Sequence, residues 1–85
     1  FGAAVVLDLH SMPPIGIAQG DAPDYVVGDL FGRAAQSRFA QAALTVLGPR
    51  AALNAPYAGG HIIERHGAPR RNVHALQIEV SRALY

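Results

Sequence analysis

Asp8 and His10 stand at positions i and i+2 of an apolar segment that is typical of a β-strand. Side chains at this spacing project from the same face of a strand. Both lie at the carboxyl end of the segment, the end at which open α/β sheets bind ligands. Histidine is the commonest metal-binding side chain, and a nearby carboxylate often fixes its tautomer. The pair is therefore a candidate metal ligand with its orienting partner, and the alternative is an ordinary hydrogen-bonded histidine.

Glu79 lies near the end of a second, mostly apolar segment. An ionised carboxylate is costly in such surroundings unless it is paired or hydrogen-bonded. Gln77 shares its face and Arg82 follows just beyond, so one interpretation is a structural ion pair between Glu79 and Arg82. The other is a general base that accepts a proton from a metal-activated water. The residues alone leave both interpretations open.

The segment from Asn54 to Gly60 reads Asn-Ala-Pro-Tyr-Ala-Gly-Gly. Gly59 and Gly60 allow the backbone to approach a ligand closely or to adopt a positive φ. Asn54 and Tyr57 add hydrogen-bonding groups, so the segment is a candidate substrate-binding loop, with an ordinary turn as the alternative. The other histidines are interpreted as surface or packing residues: His61, His66 and His74.

The elements that position these residues alternate along the chain, which predicts an α/β fold with a mixed β-sheet and flanking helices. The first and last strands are almost continuously apolar, so both are expected to be buried on both faces. A loop is expected over Ser11–Asp24, where prolines and glycines are frequent. The predicted strands are Ala3–Leu9, Tyr25–Val27, Arg50–Asn54 and Val73–Val80, and the predicted helices are Ala34–Leu47 and His61–His66.

The longer helix is predicted from one apolar face, and Gly48-Pro49 supplies its stop signal. Residues on that face recur at helical spacing. They are Phe39, Ala42, Ala43, Val46 and Leu47.

Composition bounds the remaining possibilities. The chain has 85 residues, of which 51% are hydrophobic and 15% charged. This composition is unusually apolar for one small domain, because small domains have proportionally more surface to keep polar. Together with the abrupt apolar start at Phe1, this predicts a partial domain of a larger protein.

The net charge is +1 and the arginines are scattered, which argues against nucleic-acid binding. No apolar run reaches the ~20 residues of a membrane-spanning helix. The absence of cysteine excludes thiolate metal sites and fits a reducing cytoplasm.

Four stretches, taken in order, resemble the N-formylglutamate amidohydrolase family. They are Leu7–Pro13, Gly28–Gly32, Asn54–Gly60 and His74–Tyr85. The resemblance implies a fragment of a three-layer sandwich similar to that of the zinc carboxypeptidases and of the succinylglutamate desuccinylase and aspartoacylase group. Residues 1–85 would form a single partial domain, the later part of a longer family member.

The resemblance also implies a reaction: zinc-dependent hydrolysis of N-formyl-L-glutamate to formate and L-glutamate, as in histidine catabolism. His10 would be the last zinc ligand in chain order, with the other ligands in a preceding segment, and Glu79 would be the general base. Asn54, Tyr57, Gly59, Gly60, Arg65 and Arg82 would contact the substrate. The isolated segment is expected neither to bind zinc tightly nor to turn over substrate.

Two positions depart from the family pattern: Leu30 and Leu53 stand where arginine is common. Because arginine binds carboxylates through paired hydrogen bonds, these departures leave the identity of the acyl amino acid open. Arg65 and Arg82 are the remaining candidates for that contact. The alternatives are the same chemistry on another N-acyl amino acid, or a non-catalytic α/β interaction module. A small-molecule substrate is expected, with no nucleic-acid or membrane partner, and the oligomeric state is left open.

Overall fold

The computed structural model describes residues 2–14 and 22–85. It contains four strands and two α-helices, in the order in which the sequence predicts them. They are β1 (Ala4–Met12), β2 (Tyr25–Gly28), α1 (Ser37–Leu47), β3 (Ala51–Leu53), α2 (His61–His66) and β4 (Val73–Ser81), with short 3-10 turns at Pro69–Arg71 and Arg82–Leu84. Of the predicted loop over Ser11–Asp24, residues 15–21 lie outside the described residues, and Ser11 and Met12 belong to β1.

The strands form one mixed sheet in the order β1-β4-β2-β3. β4 runs parallel to β1 and antiparallel to β2, and β2 runs parallel to β3. The long β4 is buried along almost its whole length, which confirms its predicted central position. The α/β fold with a mixed sheet and flanking helices is likewise confirmed.

The two faces of the sheet carry different side chains because successive residues of a strand point in opposite directions. On one face α1 packs against Val27, Leu76 and Ile78. On the other face α2 places Ile63 against Ala75 and Val6. Helix, sheet and helix therefore form three layers, and Asp8, His10, Gln77 and Glu79 share the α2 face.

β1 is a strand as predicted, but its predicted burial on both faces is wrong. Val5, Leu7 and Leu9 are 45%, 58% and 69% exposed. The reason is its place in the sheet: β1 pairs with β4 alone among the described residues, and α1 lies over β4, β2 and β3. The gap between β1 and α1 is an apolar groove of about 330 Å³. The apolar composition of β1 thus predicted that it is a strand, but it could not predict that the strand lies at the edge of the sheet.

α1 begins at Ser37, later than the predicted Ala34, because tertiary contacts take up the preceding backbone groups. The Ala34 carbonyl accepts a hydrogen bond from the Ala75 N–H at 2.9 Å. The Gln36 N–H donates to Nδ1 of His74 at 3.1 Å. The helix ends at Leu47, and the predicted stop at Gly48 is confirmed by its left-handed φ of 92°.

The predicted apolar face of α1 is correct only in part. Phe39, Ala43 and Leu47 pack on the core, together with the buried Ala40. Val46 is 84% exposed, since it faces the open groove beside β1.

His74 confirms its interpretation as a packing residue. Its side chain is fully buried, and its ring stacks on Phe39 with centroids 4.0 Å apart. Nδ1 accepts from the Gln36 N–H, so Nε2 carries the proton and lies 2.6 Å from Oδ1 of Asn72. The neutral imidazole therefore anchors the start of α1 to β4.

Neither α-helix in the described part of the chain is long and apolar enough to cross a membrane.

Gly28 ends β2 where the backbone of the Asn54–Gly60 loop approaches it most closely. A Cβ at this position would lie 2.6 Å from the carbonyl carbon and 2.7 Å from the carbonyl oxygen of Ala58. We therefore expect Gly28→Ala to lower the free energy of unfolding by about 1–3 kcal/mol, because backbone atoms cannot rotate away as a side chain can. Thermal or urea unfolding measures the change. Gly2→Ala, whose Cβ meets open space, is the matched control, and equal stabilities of the two variants would contradict the expectation.

Candidate functional site

Four polar side chains form a compact group on the α2 face of the sheet. Asp8 and His10 come from β1, and Gln77 and Glu79 from β4. The parallel register sets Asp8 beside Gln77 and His10 beside Glu79. Adjacent strands lie about 4.8 Å apart, and paired residues of one register position point to the same face. The structure therefore brings together the candidate metal ligand and the candidate general base, near the carboxyl ends of two parallel strands.

Asp8 and His10 interact as their spacing predicts. Nε2 of His10 lies 2.8 Å from Oδ2 of Asp8. A carboxylate can only accept, so Nε2 carries the ring proton. Nδ1 of the neutral ring then keeps a free lone pair, and the side chain of His10 is 45% exposed. The arrangement leaves one histidine nitrogen accessible to a ligand.

The charges around His10 favour its protonated form in the absence of a metal. The hydrogen bond to Asp8 is the largest influence and raises the pKa of His10 above its ordinary value of 6.5. Slight burial acts in the opposite direction, and the negative charges of Asp8 and Glu79 add to the increase. Glu79 is thus close enough to His10 for its negative charge to raise the pKa of the His10 ring.

Glu79 is 7% exposed and depends on a hydrogen bond for its stability inside the sheet. That bond comes from Gln77, whose Nε2 donates to Oε2 of Glu79 at 2.7 Å. The alternative of an ion pair between Glu79 and Arg82 is wrong for the described residues. Nη1 of Arg82 instead donates to Oγ of Ser11, at a long 3.4 Å. Arg82 therefore contacts the end of β1, at the residue that follows His10 in sequence.

The Asn54–Gly60 loop reaches the site through one backbone group. The N–H of Gly60 donates to Oε1 of Gln77 at 2.9 Å, which connects the loop to Glu79 through one amide side chain. Gly59 adopts a φ of 123°, and a Cβ there would lie 2.2 Å from Cδ1 of Ile63. Gly59 is thus required by its backbone conformation and by the local packing, and the predicted loop is confirmed as irregular structure.

Asn54, a predicted substrate-binding residue, has its amide engaged elsewhere. Its Oδ1 accepts from the Asp29 N–H at 3.0 Å, and its Nδ2 donates to Oδ1 of Asp29 at 2.8 Å. The same Oδ1 of Asp29 accepts from the Gly32 N–H at 3.1 Å. This set of bonds fixes the turn after β2 against the loop after β3. Asn54 therefore serves to hold the loop in place.

The other predicted substrate contacts are spread over the surface. Tyr57 is exposed in the loop before α2. Arg65 is exposed in the last turn of α2, close to Ala68, which pairs with Val73 at the start of β4. Glu79 lies six residue steps along β4 from Val73, or about 20 Å. The structure therefore brings Arg82 near His10 and leaves Arg65 towards the opposite end of β4.

The two positions that depart from the family pattern differ in their surroundings. Leu30 packs against the cluster of Ala34, Ile63 and Ala75 on the α2 side. Leu53 is 37% exposed at the end of β3. Leu30 thus contributes to packing below the Asn54–Gly60 loop, where its Cδ2 lies 3.4 Å from the Cβ position of Gly59.

A catalytic zinc takes three protein ligands and keeps one position for water. Among residues 2–14 and 22–85, no group of three or more His, Asp or Glu side chains is arranged to hold a metal. His10 nevertheless has the features of one ligand, since its ring is fixed by a carboxylate and its other nitrogen is free. The donor set of this segment fits a contribution of one ligand to a zinc site.

Two residues at the site were not singled out as functional from the sequence. Gln77 was noted only as sharing a face with Glu79, although an amide beside a buried acid on one strand face is itself a signal. Asp29 is 3% exposed and lies in the turn that follows β2. Its role depends on Asn54, 25 residues away, so no local pattern could reveal it.

Comparison with known proteins shows which family this chain belongs to. A family model for N-formylglutamate amidohydrolase matches residues 1–85. The chain is 31% identical to the N-formylglutamate deformylase of Pseudomonas aeruginosa and 30% identical to that of Pseudomonas putida, each over 91 residues. In both cases all of this chain and 34% of the relative are covered. The chain therefore spans about a third of the length of the curated relatives it matches.

A solved structure has the same fold over this segment. The crystal structure of N-formylglutamate amidohydrolase from Ralstonia eutropha JMP134 superposes with a TM-score of 0.78 at 35% sequence identity. The match covers 100% of this chain and 34% of that protein.

The Asp8–His10 contact predicts a pH effect in the metal-free protein. We expect Asp8→Asn to lower the pKa of His10, because the variant removes both the charge and the carboxylate acceptor that raise it. In the parent, the stabilising contribution of the pair is complete below pH 6.5 and is lost as pH rises through the raised pKa. An NMR titration of the His10 ring measures the shift.

Asp24→Asn is the matched control for this titration. Asp24 pairs with Nε of Arg50 at 2.9 Å, so its removal changes the net charge equally without touching His10. A His10 pKa that is the same in Asp8→Asn and in the parent would contradict the assigned contact.

Proposed function

The chain belongs to the N-formylglutamate amidohydrolase family, and from this premise we propose that the complete polypeptide hydrolyses the amide bond of N-formyl-L-glutamate. The reaction consumes one water and gives formate and L-glutamate. Relatives of this chain are named N-formylglutamate deformylase, which supports the substrate. The observation that supports the chemistry most strongly is the pairing of His10 with Glu79 on adjacent parallel strands.

We propose zinc as the cofactor, with Nδ1 of His10 as one ligand. Asp8 would hold the ring by accepting from Nε2, which leaves Nδ1 as the nitrogen available to the metal once its proton is displaced. Zinc supplies Lewis acidity when bound: it polarises an amide carbonyl and makes water a stronger acid. The remaining ligands would come from parts of the complete polypeptide outside the described residues, since this segment offers only one.

Glu79 is the proposed general base and proton carrier. Its carboxylate accepts a proton from the attacking water as the water oxygen bonds to the formyl carbon. It then delivers this proton to the amine nitrogen as the carbon–nitrogen bond breaks, so that no free hydroxide has to attack and no amide anion has to leave. The near-complete burial of Glu79 suits this role, because a carboxylate packed inside the sheet is held in one position relative to the reacting groups.

Arg82 is the proposed contact for a carboxylate of the substrate. It is exposed, lies at the end of β4, and bonds only weakly to Ser11 at 3.4 Å. A guanidinium with spare donors is well suited to bind a carboxylate in a bidentate manner. Tyr57 and the Gly59-Gly60 backbone remain predicted substrate contacts. Arg65 also remains a predicted contact, although it lies farther from Glu79.

A different N-acyl amino acid is the second candidate substrate, and Leu30 and Leu53 favour it. Neither side chain can bind a carboxylate at positions where the family commonly has arginine, so part of the specificity for glutamate has to come from elsewhere. Hydrolysis of a panel of N-formyl and N-acetyl amino acids by the complete polypeptide separates the two candidates. A cytoplasmic location is proposed as well, because a chain without cysteine fits a reducing compartment.

Glu79→Gln tests the general base. In the complete polypeptide we expect zinc content to be unchanged and kcat for N-formyl-L-glutamate to fall by about 10²–10⁴-fold, the usual contribution of a positioned acid–base group. Glu64→Gln, the same change at an exposed residue of α2, is the matched control and should retain the parental kcat. Turnover by Glu79→Gln at the parental rate would exclude Glu79 as the base.

His10→Ala tests the metal ligand. We expect the variant to lose stoichiometric zinc and activity together. Its zinc affinity should fall by more than the ~10–100-fold that is typical when a residue hydrogen-bonded to a metal ligand is removed. His66→Ala, at an exposed histidine of α2, should retain both. Metal analysis and the hydrolysis assay are run on the same samples. A parent that holds no metal and hydrolyses no acyl amino acid would favour the non-catalytic interaction module.

A further inference from the structure

Gln77 occupies an unusual place between a loop and the proposed base. It is 6% exposed, and both polar atoms of its side chain are used. Oε1 accepts from the Gly60 N–H at 2.9 Å, and Nε2 donates to Oε2 of Glu79 at 2.7 Å. Nothing else in the described residues donates a side-chain hydrogen bond to the Glu79 carboxylate.

The orientation of this amide follows from its partners. A backbone N–H can only donate, so the atom of Gln77 that faces Gly60 has to be the oxygen. The nitrogen is then directed at Glu79, where a carboxylate oxygen accepts. The chain of bonds from Gly60 through Gln77 to Glu79 therefore has one direction, and it ends at a carboxylate oxygen that accepts.

The loop is shaped to make this connection. A Cβ at Gly60 would lie 3.3 Å from Oε1 of Gln77, so glycine lets the backbone approach the amide without pushing it aside. The loop itself is fixed at its other end by the paired bonds of Asn54 with Asp29. The turn at Asp29 thus holds the loop, the N–H of Gly60 holds the amide of Gln77, and this amide holds one carboxylate oxygen of Glu79.

We infer that Gln77 is the positioning residue of the catalytic carboxylate. It holds Oε2 of Glu79 and leaves the other oxygen available to the water that attacks the amide. This inference rests on the proposed function, because it assigns Gln77 a role only through Glu79. It also gives the Gly59-Gly60 pair a task beyond substrate contact: to supply the N–H that orients Gln77.

Kinetics of Gln77→Met in the complete polypeptide provide the first test. Methionine has a similar size and makes neither hydrogen bond, so the carboxylate loses its support while packing is retained. We expect kcat to fall about 10–100-fold, as for a misplaced reactive group, with KM and zinc content close to the parental values. Gln41→Met, the same change at an exposed residue of α1, is the matched control and should keep the parental kcat.

Gln77→Asn covers the case in which methionine prevents folding. The shorter amide remains polar but cannot reach Gly60 and Glu79 together, so the same fall in kcat is expected. Parental kcat in a folded Gln77→Met or Gln77→Asn protein, alongside an inactive Glu79→Gln, would overturn the role of Gln77 and leave the proposed function intact. A substantial rise in KM without a change in kcat would also overturn it.

A crystal structure of the Gln77 variant decides the question independently of turnover. The inference requires the Glu79 carboxylate to leave its parental position or to lose order once Gln77 no longer holds it. A carboxylate that stays in place in the variant would overturn the inference, whether or not the parent hydrolyses N-formyl-L-glutamate. An inactive parent would count against the proposed function alone.

Discussion

The pairing of β1 with β4 is the constraint on which the candidate site depends. The two strands run in parallel over nine residue pairs, and this register alone sets His10 beside Glu79. A slip by one residue would turn every side chain of β1 to the other face and would move His10 to the α1 side. Apolar residues of β1 and β4 therefore do more than build a core. Their alternation, with Val6 and Ala75 against Ile63, specifies which pair of polar side chains meets at the carboxyl end.

Family membership and geometry explain different parts of the site. The comparisons establish membership in the N-formylglutamate amidohydrolase family, whereas the structure shows how the candidate residues are held. Asp8 fixes His10, and Gln77 fixes Glu79, so each candidate reactive side chain has a dedicated partner two residues before it on the same strand. Both partners use the period of two of a β-strand. A buried acid and an exposed histidine are thereby oriented without any contribution from flexible side chains of the surrounding loops.

Local sequence patterns predicted most of the elements and the Asp8–His10 contact, because spacing within one strand determines both. Contacts between distant residues were beyond such patterns. The edge position of β1 depends on which strand pairs with which, and the late start of α1 depends on bonds from Ala34 and Gln36 to β4. The sequence predicted Asn54 as a substrate contact because its hydrogen-bond partner, Asp29, lies in another turn and could not be recognised locally. Glu79 was correctly expected to need a partner, but its neighbour Gln77, and not Arg82, provides it.

The exposed edge of β1 also bears on aggregation. Its outer side presents unpaired backbone N–H and C=O groups among the described residues, next to exposed Val5, Leu7 and Leu9. Such an edge can bind any extended chain, and proteins usually protect it with charge. The only ionisable side chains of β1 are Asp8 and His10, and both point to the polar face near one end of the strand. A polypeptide that carries this segment is therefore expected to cover the edge as it folds, because an uncovered apolar edge strand favours aggregation.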